Sequence, residues 1–100
     1  MLWAISRVAA PDFAEKREKG LRPHSEYLRS QKHILVISGA TTNDDGTQFV
    51  GSLLIVNVKT RAEAQAFVDG DPFTKAGMFS GVTITRMNKG QFNPQAAEGA

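Results

Sequence analysis

The sequence predicts an α+β domain in which two helices cover one face of a four-stranded antiparallel sheet. Three observations predict it. Short apolar runs such as Ile34-Leu35-Val36-Ile37 and the stretch from Phe49 to Val58 have the length and β-branched content of strands. Residues 12 to 32 and 60 to 70 instead carry helix formers bounded by start and stop signals. The resulting order is strand, helix, strand, strand, helix, strand, the ferredoxin-like βαββαβ arrangement.

Residues 1 to 8 form the first strand, with Trp3 and Ile5 on one face and Leu2, Ala4 and Val8 on the other; Pro11 ends it. Residues 12 to 32 hold ten charged side chains, so the first helix has a well-solvated face. Gly20 and Pro23 are expected to divide this segment, with the firm helix starting near Leu21 or Arg22 and running to about Gln31. On it Leu21, His24, Leu28 and Gln31 recur at spacings of three and four, which puts His24 on the inward stripe.

The second strand runs from His33 to Ala40, and Thr41 to Gly46 is a polar loop with an Asp-Gly turn. The third strand follows from Phe49 to Val58, where Gly51 marks a bulge or a close backbone approach. Thr60 and Glu63 form a capping box for the second helix, and Gly70 ends it. Asp71-Pro72 starts a further short turn through Lys75 or Ala76, and the last strand spans about Gly81 to Met87. This gives one domain over residues 1 to 88 and a loosely ordered tail over residues 89 to 100, whose Phe92 could dock on a partner.

Leu53 and Ile55 alternate with Leu54, Val56 and Val58, so both faces of the third strand are apolar. Two helices cover only one face. The other is expected to bury against a second copy across a two-fold axis, which predicts a homodimer.

Composition excludes several classes. At 100 residues, with 41% apolar and 22% charged side chains, the chain suits a single globular domain. No apolar run approaches a bilayer span, and the short apolar N-terminus lacks the basic leader of a signal peptide. The cytoplasm is the expected location. With no cysteine, disulfides, thiolate chemistry and sulfur-bound metals are excluded. A net charge of +2 with interspersed signs gives no basic patch for a nucleic acid. The third strand also lacks the aromatic and basic pattern that base-stacking sheets of this topology use.

Two segments hold the candidate proton-handling groups, Arg22-Pro23-His24-Ser25-Glu26-Tyr27-Leu28 and Asp69-Gly70-Asp71-Pro72-Phe73. A histidine such as His24 can act as acid or base, and a carboxylate such as Asp71 can fix an imidazole tautomer. Each also has a plain structural reading. A helix histidine can be satisfied by a carbonyl or water, and Asp before Pro is an ordinary helix cap. Arg22 could meet an oxyanion or simply be solvated, Tyr27 could donate a hydrogen bond or pack, and Phe73 suits a core or pocket wall. His33 is expected at the surface, so the two histidines make a poor metal set, and Asp44 and Asp45 lack calcium-loop spacing. Ser25 neighbours His24 on the helix and should point elsewhere, while Ser38 and Ser52 have no independent support as nucleophiles. No phosphate loop or dinucleotide fingerprint is present.

The chain resembles the YciI-like family of the dimeric α+β barrel group. The resemblance rests on the short first strand, on Arg22 and His24 followed by Tyr27-Leu28, and on Ser38-Gly39 and Gly51-Ser52. Asp71-Pro72-Phe73 with a later Gly77 completes it. It implies that His24 and Asp71 meet in a pocket as an acid/base pair. Departures at Ser25 and Glu26, and in the tail after Gly90, leave that pair intact.

Two classes of function follow. The first, implied by the resemblance, is a cofactor-independent lyase or isomerase moving protons on a small oxygenated compound, cyclic ones included, with His24 and Asp71 as catalytic residues. Arg22, Tyr27 and Phe73 would then contact the substrate. The second is a non-catalytic dimer that binds a small ligand or serves as an accessory module.

Overall fold

A computed structural model describes all residues, 1 to 100. Its elements are β1 (Leu2–Ala9), α1 (Phe13–Ser30), β2 (Leu35–Thr42), β3 (Phe49–Asn57), α2 (Arg61–Gly70), α3 (Pro72–Lys75) and β4 (Phe79–Met87). The strands form one antiparallel sheet in the order β2-β3-β1-β4. This is the ferredoxin-like α+β arrangement that the order of elements predicts, with the helices on one face. The tail adds a short 3-10 turn, Pro94–Ala97.

Alternation along β1 sets the layers. Trp3, Ile5 and Arg7 point under the helices and are buried, and they pair with Val56, Leu54 and Ser52 of β3. Trp3, Ile5, Leu54, Val56, Ala64, Phe67 and Val68 form the main core. Burying each of the larger side chains contributes about 1.5–3 kcal/mol. A second cluster, Phe13, Phe73 and Met78, closes the end where α1 meets α3.

The first helix is continuous, not divided. Pro23 lies inside α1, where Pro23 and Lys19, the residue whose carbonyl loses its amide partner, both sit on the exposed side. Gly20 serves packing here. A Cβ on it would lie 3.2 Å from the Phe73 ring, so glycine lets α1 approach α3 closely. The inward stripe also differs at one end, because Leu21 is exposed while Tyr27 and Leu28 pack on the main core.

Two strands are offset from their predicted bounds. Ile34 and Leu35 donate their amides to the Gln31 carbonyl, so a turn consumes His33 and Ile34 before β2 begins. β4 starts earlier than Gly81 because Phe79 pairs with Ala9 across a register shift. Gly51 marks a close approach, since a Cβ there would meet the Arg7 carbonyl oxygen. The Asp45-Gly46 turn forms with Gly46 at φ 75°, and the Asp45 carboxylate accepts from the backbone and hydroxyl of Thr47.

Val8, Ile37, Leu53 and Met87 remain exposed, and with Ile55 they make the helix-free face apolar. From Val36 to Thr42 β2 is exposed throughout. The helical layer therefore stops short of that edge.

Candidate active site

Two capped helix starts bring the candidate residues together. The Glu63 amide donates to Thr60 Oγ1 at 3.1 Å, and the Glu63 carboxylate accepts the Lys59 amide at 2.9 Å, so α2 begins in a closed capping box. α2 ends at Gly70, and Asp71 leaves it in an extended conformation with Pro72 as the first residue of α3. Asp71 Oδ1 caps α3 by accepting the Phe73 amide at 3.0 Å.

The same carboxylate makes two further contacts. Oδ1 lies 2.8 Å from Nδ1 of His24, and Oδ2 accepts from Nη1 of Arg7 at 2.8 Å. The cap and the contact with the imidazole thus coexist on one side chain. Burial pushes the Asp71 carboxyl up, but hydrogen bonds from His24, Arg7 and the Phe73 amide outweigh this and hold it below the usual carboxylate range. Asp71 is 1% exposed, so its charge is compensated by protein groups rather than by water.

The His24 ring stacks on Phe73 with centroids 3.8 Å apart and planes 1° from parallel. Its side chain is 14% exposed. With Nδ1 facing Asp71 and one ring face covered, Nε2 is the remaining polar atom of the imidazole. A histidine held this way can take or give a proton at that one atom.

Arg7 is the residue that sequence reasoning missed. It sits on the buried face of β1, 3% exposed. Besides Asp71 it donates from Nε to Ser52 Oγ at 2.8 Å and from Nη1 to Thr74 Oγ1 at 3.3 Å, and its guanidinium lies 4.1 Å from the Phe79 centroid. Burial lowers its pKa against the support of Asp71. One signal was available, because the alternation that buries Trp3 and Ile5 also buries residue 7, and a buried arginine requires an anion.

Of the remaining candidates, Arg22 and Tyr27 make no hydrogen bond to the carboxylate. Arg22 has an 89% exposed side chain paired with Glu26 one turn later, and the fold does not bring it to Asp71. Tyr27 donates its hydroxyl to the Phe67 carbonyl at 2.7 Å, clamping α1 to the end of α2 just before Asp71. Desolvation, aided by the charges of Asp71 and Asp69, raises the Tyr27 phenol above its ordinary value. Phe73 forms a wall by stacking on His24. No three acidic, histidine or cysteine side chains converge as metal ligands, and no helix is long and apolar enough to cross a membrane.

The profile of the YCII-related domain matches residues 1–88. The chain belongs to the YCII-related family. That match spans the whole sheet, both main helices and the cluster of Arg7, His24, Ser52 and Asp71, and it leaves the tail outside. Among solved structures, this YCII-related chain is similar to the 5-chloro-2-hydroxyhydroquinone dehydrochlorinase TftG from Burkholderia phenoliruptrix, in its complex with 2,5-dihydroxybenzoquinone. The two share 33% identity and a TM-score of 0.80, over 90% of this chain and 96% of the other. No curated protein sequence matches the chain.

Proposed function

We propose that the protein is a cofactor-independent enzyme that moves protons on a small oxygenated ring compound, as a lyase or isomerase. His24 is the base and acid, acting at Nε2. Asp71 holds the ring through Nδ1 and stabilises it when it is charged. The observation that carries this reading is the 2.8 Å contact between a partly exposed imidazole and a buried carboxylate whose hydrogen bonds hold its pKa below the usual range.

The chemistry begins with a ring hydroxyl or an activated C–H giving its proton to Nε2. The electron pair stays on the substrate as a phenolate or enolate, which either expels a leaving group or takes the proton back elsewhere. The similarity to a dehydrochlorinase solved with a dihydroxybenzoquinone supports hydroxylated quinones and hydroquinones as the substrate class. Phe73 supplies the wall beside the imidazole, and Tyr27 acts by fixing the end of α2.

The protein works as a homodimer. Its helix-free face exposes Val8, Ile37, Leu53 and Met87, and the groove there is also lined by Leu2, Ile55 and the tail residue Phe92.

The test is turnover of hydroxylated quinones by the purified protein. His24→Ala is expected to lower kcat by about 10²–10⁴-fold with the fold retained. Full activity in a folded His24→Ala variant overturns the proton-transfer reading. Thermal protection by such a compound without any turnover favours the ligand-binding module instead.

A further inference from the structure

Arg7 is a buried guanidinium whose Nε donates to Ser52 and whose Nη1 donates to Asp71 and Thr74, beside the Phe79 ring. Its role follows from counting charges through a catalytic cycle, and so rests on the reading of His24 as the base. A base must be neutral before it acts. In that state His24 cannot balance the charge on Asp71, which is only 1% exposed. Arginine is the side chain that keeps its charge throughout.

We propose that Arg7 is a positioning residue of the site. It carries the permanent positive charge that keeps Asp71 an ionised acceptor for Nδ1–H of a neutral His24, so that Nε2 is presented bare to the substrate.

The cluster of Arg7, Asp71 and His24 is then neutral before proton transfer and carries +1 after it. The substrate makes the opposite change, from neutral to anionic, when its O–H or C–H bond breaks and the electron pair stays on the ring oxygen. The two new charges attract each other beside a largely buried imidazole and carboxylate, where such attraction is stronger than in water. A histidine and aspartate alone would pass from −1 to 0 and offer a new anion no net charge. Arg7 therefore suits the site to neutral acids that ionise, such as ring hydroxyls and their vinylogous carbon acids.

Asp71 is the charged group in direct contact with His24, and Arg7 lies behind it. Tyr27, one turn along α1, is engaged with Phe67, and Arg22 and Glu26 pair on the exposed side.

The chain has two histidines, so imidazole nitrogen spectra recorded in a His33→Gln background report His24 alone. At pH 7.5, Arg7→Met is expected to lower the fraction of His24 with a bare Nε2 by about threefold or more, because the carboxylate then draws a proton onto its one remaining cationic partner. Arg7→Lys, which keeps the charge, is expected to restore it. With a turned-over hydroxyquinone, Arg7→Met should lower kcat about tenfold or more with KM changed less than about threefold. If Arg7→Met does not fold, Arg7→Gln gives the same readout with a hydrogen bond retained. An unchanged bare fraction in the folded uncharged variant overturns the role of Arg7, whatever the activity. Absence of turnover in wild type with the expected spectra overturns the proton-transfer reading alone.

Discussion

Arg7 Nη1 and Asp71 Oδ2 lie 2.8 Å apart, and their side chains are 2% and 1% exposed. An ion pair this deep is costly to assemble, because two charges leave water, and it is held only when the remaining donors and acceptors are also satisfied. Here they are. Arg7 also donates to Ser52 and Thr74, Asp71 also accepts the Phe73 amide and faces His24, and no buried side-chain polar atom lacks a partner. The pair ties β1 to the start of α3, which is what places Asp71 under the imidazole.

Removing one partner is expected to cost far more than removing both. Asp71→Asn leaves a buried guanidinium without its anion and should lower stability by about 3–5 kcal/mol in urea unfolding. The Arg7→Met/Asp71→Asn double variant carries no buried charge and should recover a large part of that loss. Additive single losses in the double variant would show that the two residues are not coupled.

Acid should weaken the fold through the same carboxylate. The folded-state pKa of Asp71 is lowered, so the unfolded chain binds its proton first as pH falls. The stabilisation is fully present above the unfolded value of about 3.9 and is lost as pH drops from there through the folded pKa. The stability gap between wild type and Asp71→Asn, followed by urea unfolding from pH 7 to about pH 2.5, should therefore narrow only below about pH 4. A gap that does not change with pH would show that Asp71 does not titrate with folding.

Sequence placed Asp71 and His24 by local signals, and joined them as a pair only through the family resemblance. Asp-Pro after a helix-ending glycine marks a cap, and a histidine three and four residues from leucines marks an inward face. For Arg7 the alternation of β1 marks burial but not a partner, since Asp71 lies 64 positions away and only the folded sheet reveals the pairing. Pro23 misled because proline removes one helix hydrogen bond and crowds the Lys19 carbonyl, and here both residues are exposed, so water can take the place of the lost amide. The exposure of β2 was also hidden, because an Ile-Leu-Val-Ile run reads as core whether or not a helix reaches over it.

Dimer formation is expected to depend on the helix-free face. Leu53 is 46% exposed at the centre of that face, paired with Ser6 of β1 and Gly39 of β2. Leu53→Lys puts a charge where the partner sheet would lie, and should convert a dimer to a folded monomer in sedimentation equilibrium. A wild-type monomer at about 100 µM, or a dimer unaffected by this charge, would rule out association through this face.

The clamp between Tyr27 and the end of α2 gives a stability test that separates contact from space. A Cβ on Gly70 would lie 2.6 Å from the Tyr27 hydroxyl oxygen, so Gly70→Ala must displace the phenol that donates to the Phe67 carbonyl. The loss combines that hydrogen bond with strain and should exceed about 2 kcal/mol. Tyr27→Phe alone removes only the hydroxyl, at about 1 kcal/mol. In the Tyr27→Phe background the nearest obstacle becomes the ring carbon Cζ at 3.0 Å, so the added methyl meets a smaller clash. Gly70→Ala should therefore cost less there than in the wild type, by about 1 kcal/mol or more in a double-mutant cycle. Equal costs in both backgrounds would mean that the Gly70 requirement comes from the helix end itself, and that the Tyr27 hydroxyl does not set the position from which Asp71 starts α3.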